Sequence, residues 1–262
     1  MSKSRLSIPM ALLVTIGLII CYLGTDVVLK GTTPFVHAGF RLLYALIASG
    51  IIYYILRTAK VRTGRVTYSR ATKIWGIIFL AAFLILFLLL DPIPQHIWAV
   101  FHSHTFIADT MMALSAGFAE EFLFRGILLS IFIQLFKNNA LKYTFSVCAS
   151  ALCFGSIHLV NLIGGQLLTP TLQQVIYAFV LGIMLGSVRI TTNTMMWPVL
   201  THFLFDWQAG ISVNTHFDGA ASWLPFFIVW GAFFTVTAIF LVTYDHSADR
   251  SQLHAFDSFN LK

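Results

Sequence analysis

Long apolar stretches recur along the whole chain and predict its architecture. A helix that crosses about 30 Å of hydrocarbon needs about 20 mostly apolar residues. About eight such windows follow one another with short polar connections, at residues 8–29, 37–56, 74–90, 105–136, 141–162, 171–190, 194–213 and 222–244. We therefore predict an all-α fold, a polytopic transmembrane bundle of about eight helices that forms a single domain over residues 1–262, with a polar C-terminal tail at 245–262.

The basic residues are distributed unevenly among the predicted connections. Cytoplasmic loops of membrane proteins carry an excess of lysine and arginine. Here these residues precede the first span, fill the second connection, and mark alternate connections and the tail after that: Lys3, Arg5, Arg57, Lys60, Arg62, Arg65, Arg70, Lys73, Lys137, Lys142, Arg189, Arg250 and Lys262. The alternation predicts that both termini are cytoplasmic. It also explains the net charge of +6 without a nucleic-acid partner, so the lipid bilayer is the partner that we expect.

The composition excludes a soluble protein and draws attention to two acidic residues. Hydrophobic residues make up 58% of the chain and charged residues 10%, where soluble domains have about 25% charged residues. Only two glutamates occur, and they are adjacent, at Glu120 and Glu121, within an apolar stretch. A charge at the centre of a bilayer costs about 2.5–3.5 kcal/mol. Glu120, Glu121, Arg125 and Asp206 must therefore face one another or a wet cavity, and such residues are functional by default.

The spacing around the two glutamates predicts different roles for them. Residues four apart share a helix face, so Glu121 and Arg125 are placed to form an ion pair. Glu120 points about 100° away from that pair. It is therefore the better candidate for general acid or base chemistry. The alternative is that both glutamates only join helices by hydrogen bonds.

Two later segments add histidines. His158 ends the segment Phe154-Gly155-Ser156-Ile157-His158, and His202 lies four residues before Asp206 on one helix face. Each feature has a structural alternative: an interhelical hydrogen bond for His158, and a structural pair or half of a metal site for His202 and Asp206. Together, a carboxylate and two imidazoles from three helices are sufficient for hydrolysis, because they can activate a water and stabilise an oxyanion.

The order of these motifs resembles a known family. E-E-x-x-x-R, then F-x-x-x-H, then H-x-x-x-N/D, each in its own apolar helix, is similar to the CAAX protease and bacteriocin-processing (CPBP, or Abi) family of intramembrane endopeptidases, over about residues 105–210. The resemblance implies a helical bundle that cleaves peptides near the membrane with a glutamate-activated water. It implies that Glu120 is the general base, that His158 helps to bind the water, and that His202 and Asp206 occupy the oxyanion-stabilising positions. Glu121 and Arg125 complete the first motif, and their predicted pairing gives them an orienting role.

The last motif ends in aspartate, whereas the eukaryotic prenyl-protein proteases have asparagine there. An ionised aspartate cannot donate a hydrogen bond to an oxyanion. Asp206 must therefore be protonated, bind a metal, or orient His202 by accepting from one ring nitrogen. We favour the third interpretation, in which the other ring nitrogen remains a donor.

Two other classes of function remain open. One is a non-catalytic bacteriocin-immunity or partner-binding protein with the family fold, and the other is an ion-coupled transporter, suggested only by the buried ionisable groups. We expect no cofactor, although Glu120, His158, His202 and Asp206 could also bind zinc. The expected partner is a peptide or protein substrate, such as a bacteriocin-type leader or another membrane-proximal peptide, and the expected location is a bacterial plasma membrane. The sequence specifies neither the substrate-binding residues nor the oligomeric state.

Overall fold

A computed structural model of the chain describes residues 5–62, 64–213 and 219–250. Within these ranges the fold is helical, without strands, which confirms the predicted all-α class. The α-helices are α1 (Ile8–Val28), α2 (Pro34–Leu56), α3 (Arg70–Ile85), α4 (Ile93–Phe101), α5 (Phe106–Glu120), α6 (Leu129–Leu135), α7 (Lys142–Ile157), α8 (Leu168–Thr192), α9 (Met196–Asp206) and α10 (Trp223–Arg250). A π-helix, Leu86–Leu90, extends α3; another, Glu121–Leu128, joins α5 to α6; and a 3₁₀-helix, His158–Leu162, extends α7.

Six helical stretches in the described ranges are long and apolar enough to cross a membrane. They are Ile8–Val28, Pro34–Leu56, Arg70–Leu90, Lys142–Leu162, Leu168–Thr192 and Trp223–Ala248. Many large apolar side chains on these stretches are exposed, among them Leu13, Ile77 and Leu224, as expected for surfaces that face lipid. The protein is therefore a multi-pass membrane protein, and the predicted polytopic bundle is confirmed.

Two of the predicted spans are not among these six. The window 105–136 is a continuous helical run through α5, the π-helix and α6, but it carries the four charged residues Asp109, Glu120, Glu121 and Arg125. The window 194–213 contains only α9, which has 11 residues. At 1.5 Å per residue α9 extends about 16 Å, roughly half the hydrocarbon thickness. The apolar window overestimated its length, because the chain leaves the helix after Asp206.

Two of the basic residues used to predict the topology are buried. Arg62 donates to the hydroxyl of Tyr244 at 2.9 Å and to the carbonyl of Thr191 at 3.2 Å, so it satisfies the C-terminal end of α8. Arg189 lies within α8 and is 1% exposed. The sequence alone does not show which basic residues are buried and hydrogen-bonded and which lie in loops. The cytoplasmic placement of both termini stays a prediction.

The structure also differs from the predicted polar tail at its beginning. α10 continues to Arg250, and Asp245 is buried within it. Its carboxylate accepts from the backbone amides of Tyr143 and Thr144, at 2.9 and 2.8 Å, at the start of α7. Asp245 therefore caps a neighbouring helix instead of starting a solvated tail. Residues 251–262 of the predicted tail lie outside the described residues.

Close packing around the central run of α5, the π-helix and α6 positions the site. α5 packs mainly on α2 and α9, and α7 packs on α8. Glycines permit these approaches: a Cβ on Gly117 would lie 3.0 Å from the carbonyl oxygen of Val199, and one on Gly155 would lie 2.7 Å from that of Val175. The first and third motif-bearing segments are therefore held at backbone contact distance, and the second is held equally close to α8.

Candidate active site

The two glutamates lie where α5 passes into the π-helix. Glu120 is the last residue of α5, and Glu121 is the first residue of the π-helix. Glu121 is fully buried, and its Oε1 lies 2.9 Å from Nη1 of Arg125, which is 1% exposed. The predicted ion pair is confirmed. The π-helix was not predicted. Such segments are rare in proteins, and those that occur often lie at functional sites.

His202, on α9, faces three carboxylates. Its Nδ1 lies 2.7 Å from Oε1 of Glu121, and its Nε2 lies 3.7 Å from Oε2 of Glu120 and 3.5 Å from Oδ2 of Asp206. The imidazole is buried. We expected Asp206 to accept from one ring nitrogen and to leave the other nitrogen free to donate. Asp206 does face Nε2, but Glu121 makes the shorter contact, at Nδ1, so both ring nitrogens face carboxylates. The spacing of His202 and Asp206 within α9 gives no information on the contact between His202 and Glu121, which lies in a distant segment.

His158 begins the 3₁₀-helix after α7. Its Nδ1 lies 3.1 Å from the carbonyl oxygen of Phe154, which can only accept, so Nδ1 donates. The Phe154 ring makes edge contacts with both histidines, with ring centroids 5.3 Å from His158 and 5.8 Å from His202. The guanidinium of Arg125 lies 4.2 Å from the Phe154 centroid. Phe154 therefore links the second motif to the other two.

A cavity of about 870 Å³ opens at these side chains. Glu120, His158, His202 and Asp206 line it, whereas Glu121 and Arg125 lie behind them and do not. The structure thus brings all six predicted residues together and divides them into four at the cavity and two in support. Phe226, Val229 and Trp230 of α10 form an apolar part of the wall, and Asn161, Gln173 and Gln174 provide neutral polar groups.

Two residues near the site were missed as site residues. Tyr22, on α1, lines the cavity, is 3% exposed, and donates from its hydroxyl to Oε1 of Glu120 at 3.2 Å. Arg189, on α8, donates from Nε to the carbonyl of Arg125 at 3.2 Å, within the π-helix. A tyrosine in an apolar helix gives no sequence signal. Arg189 does give a sequence signal, because it is a charged residue within a predicted span, but we interpreted it as a topology marker.

A second carboxylate and imidazole line the cavity, from Asp91 in the connection before α4 and from His96 on α4. Nδ1 of His96 lies 3.5 Å from Oδ1 of Asp91. Burial raises the pKa of the Asp91 carboxyl, His96 opposes this increase, and the charge of Asp206 adds to it. Asp91 therefore experiences the negative charge of the site across the cavity.

The described part of the chain contains no group of three or more His, Cys, Asp or Glu side chains arranged to hold a metal ion.

The fold and the site define a multi-pass membrane protein with a polar, carboxylate-rich cavity among its helices. Residues 102–208 match the family described as type II CAAX prenyl endopeptidase, Rce1-like. This segment contains all six predicted site residues, and the match is consistent with the CPBP family that the motifs resemble. It supports an intramembrane protease in general. Helices α1 to α4 and α10 lie outside the matched segment. Comparisons with curated proteins and with solved structures found no match.

Proposed function

We propose that this protein is an intramembrane endopeptidase that hydrolyses a peptide bond with a water activated by Glu120. The observation that carries the proposal is the position of the Glu120 carboxylate at the cavity, with Oε2 facing Nε2 of His202 at 3.7 Å. A base and an oxyanion-stabilising group on the same side of one cavity are what hydrolysis of an amide needs.

The different surroundings of the two glutamates favour Glu120 as the base. Glu121 is fully buried, its Oε1 is bound to both Arg125 and His202, and it does not line the cavity, so it has no access to water there. The Glu120 side chain is 18% exposed and lines the cavity. It can therefore accept a proton from a water without breaking the buried pair of Glu121 and Arg125.

In the reaction, Glu120 removes a proton from the water while the water oxygen attacks the peptide carbonyl carbon. The carbonyl π electrons move to oxygen and give a tetrahedral oxyanion. When the C–N bond breaks, Glu120 returns the proton to the leaving nitrogen, and the products are a carboxylic acid and an amine. General base catalysis of this kind contributes about 10²–10⁴ in rate.

His202 is placed to stabilise the oxyanion. Glu121 accepts from Nδ1, so a neutral ring would have only a lone pair at Nε2. The protonated imidazolium donates from both nitrogens, and the carboxylates of Glu120, Glu121 and Asp206 around it favour that charged form. The Nε2–H then points between Glu120 and Asp206. In this account Asp206 supports the charge of His202 and donates nothing to the oxyanion.

His158 is placed to bind the water. Because Nδ1 donates to the carbonyl of Phe154, the neutral ring has its lone pair at Nε2. A water between Glu120 and His158 could direct one hydrogen to each of them, which would orient its oxygen lone pairs toward a substrate carbonyl. His158 therefore contributes orientation, and Glu120 takes the proton.

The substrate in this proposal is a membrane-proximal peptide, with a bacteriocin-type leader as one example, and the protein acts in a bacterial plasma membrane. An apolar wall from α10 suits an apolar segment of such a peptide, and the amides of Asn161 and Gln174 suit its backbone.

The test compares the terminal peptides in membranes of cells that produce wild type, Glu120→Gln or Lys73→Gln. Lys73 is an exposed residue at the start of α3, so its variant controls for expression and for loss of a charge. Peptides that are released by wild type and Lys73→Gln, and not by Glu120→Gln, support the proposal. Identical peptides in all three samples would contradict it and would favour a non-catalytic role.

A further inference from the structure

Glu120 has a second neighbour, on a helix that lies outside the segment matched by the family. Tyr22 is near the end of α1, and its hydroxyl lies 3.2 Å from Oε1 of Glu120, 98 residues away in sequence. We propose that Tyr22 is a positioning residue that holds Oε1 of Glu120, so that Oε2 is the oxygen that accepts the proton from water. This inference rests on the proposed function of Glu120.

The two oxygens of Glu120 differ in their contacts. Oε1 accepts from Tyr22, and Oε2 faces His202. The terminal torsion of a glutamate is broad, so a carboxylate without a fixed partner samples many orientations. One hydrogen bond to Oε1 restricts this rotation and keeps Oε2 directed toward His202. Preorganisation of this kind raises the rate of the chemical step and changes substrate binding little.

Tyr22 is itself held firmly. The Arg41 guanidinium of α2 lies 4.3 Å from the centroid of the Tyr22 ring, which is a cation–π distance. Arg41 is paired with Asp26, and Asp26 also lies 3.0 Å from Nε2 of His37. The ring of Tyr44 stacks against the ring of Tyr22 with centroids 6.1 Å apart.

These contacts fix the phenol that donates to Glu120. They connect a charged pair on α1 and α2 to the base on α5. The proposal therefore assigns the first two helices a part in the reaction, beyond anchoring the protein in the membrane.

Tyr22→Phe tests the role of the hydroxyl, because it keeps the ring, its stacking on Tyr44 and its cation–π contact with Arg41. Tyr44→Phe is the matched control: it also removes one hydroxyl between α1 and α2, but that hydroxyl donates to the carbonyl of Leu18. Both variants, wild type and Glu120→Gln are purified in proteoliposomes. The probe is an internally quenched synthetic peptide that spans the cleavage site defined by the peptides that wild-type cells release, and kcat, KM and the melting temperature are measured.

We expect Tyr22→Phe to lower kcat by about tenfold to a hundredfold, as for loss of a hydrogen bond to a charged group. KM should stay within about twofold, since the hydroxyl acts through Glu120. Tyr44→Phe should keep the wild-type kcat. A Tyr22→Phe enzyme with wild-type kcat would overturn the inference. So would equal losses of kcat and melting temperature in the two variants, because that result indicates a merely structural hydroxyl.

Glu120→Gln separates this inference from the proposed function. If Glu120→Gln cleaves at the wild-type rate, the proposed function fails and the role of Tyr22 fails with it. If Glu120→Gln is inactive and Tyr22→Phe is fully active, the proposed function stands and only the role of Tyr22 is wrong.

Discussion

Glu121 and His202 are joined by a contact of 2.7 Å between Oε1 and Nδ1, although 81 residues separate them in the chain. The same Oε1 lies 2.9 Å from Nη1 of Arg125. One buried oxygen therefore fixes both the cation of the first motif and the imidazole of the third. This relationship makes Glu121 the structural centre of the site and leaves Glu120 available at the cavity.

Glu121→Gln should destabilise the protein strongly. The variant leaves Arg125 as a buried cation without its counter-charge, which costs about 3–5 kcal/mol when one partner of a buried pair is lost. It also weakens the hydrogen bond that orients His202. We expect a clear fall in melting temperature together with loss of peptidase activity. A Glu121→Gln protein with wild-type melting temperature would contradict the role of the pair.

Asp206→Asn should be much milder. The Asp206 side chain is 25% exposed, and its Oδ2 lies 3.5 Å from Nε2 of His202, which is longer than the contact between Glu121 and His202. Because Glu121 still orients the ring, we expect the melting temperature to change little and kcat to stay within about tenfold of wild type. Complete loss of activity with an unchanged melting temperature would show that Asp206 is itself essential to the chemistry.

Gly155→Ala should loosen the packing of α7 on α8. The added Cβ would lie 2.7 Å from the carbonyl oxygen of Val175, a backbone atom that cannot rotate away. Overpacking of this kind costs about 1–3 kcal/mol. Gly50→Ala, on α2, is the control, since nothing lies within 4 Å of its Cβ position. Thermal unfolding in detergent should show a lower melting temperature for Gly155→Ala only; equal values would contradict the contact.

Asp91→Asn should stabilise the protein in a pH-dependent way. Burial raises the pKa of the Asp91 carboxyl above the unfolded value of 3.8, so ionisation of this group opposes folding. Below about pH 4 the wild-type group is protonated in both states, and the variant should gain nothing. As the pH rises through the folded pKa, the melting temperature of Asp91→Asn should exceed that of wild type increasingly. A constant difference between pH 4 and pH 8 would contradict this assignment.

The sequence allowed most of the site to be predicted, because its groups lie in local pairs. Glu121 with Arg125, and His202 with Asp206, are four residues apart on one helix each, and that spacing alone places their side chains together. The contact between Glu121 and His202 depends on how α9 packs against the π-helix. Such packing leaves no periodic pattern in the sequence. The sequence therefore favours Asp206, which is closer to His202 along the chain, as the residue that orients the His202 ring.

Hydropathy predicts neither the contact of Tyr22 with the site nor the point at which α9 ends. A tyrosine in an apolar window looks the same whether it faces lipid or a carboxylate, and only the packing of α1 against α5 distinguishes the two. The window 194–213 is apolar beyond Asp206 because of Trp207, Ile211 and Val213. These residues follow the helix in turns, where Asp109 accepts from the backbone amides of Gly210 and Ser212 at 2.9 and 3.0 Å.

The most direct test of the account is the turnover number of purified Glu120→Gln on the quenched peptide, beside Lys73→Gln and wild type in the same proteoliposomes. Glutamine keeps the size of the side chain and can still contact Tyr22, but it cannot take a proton from water. We predict that kcat falls by about 10²–10⁴ in Glu120→Gln, with an unchanged melting temperature, and that Lys73→Gln matches wild type. Wild-type turnover by a folded Glu120→Gln protein would contradict the central claim.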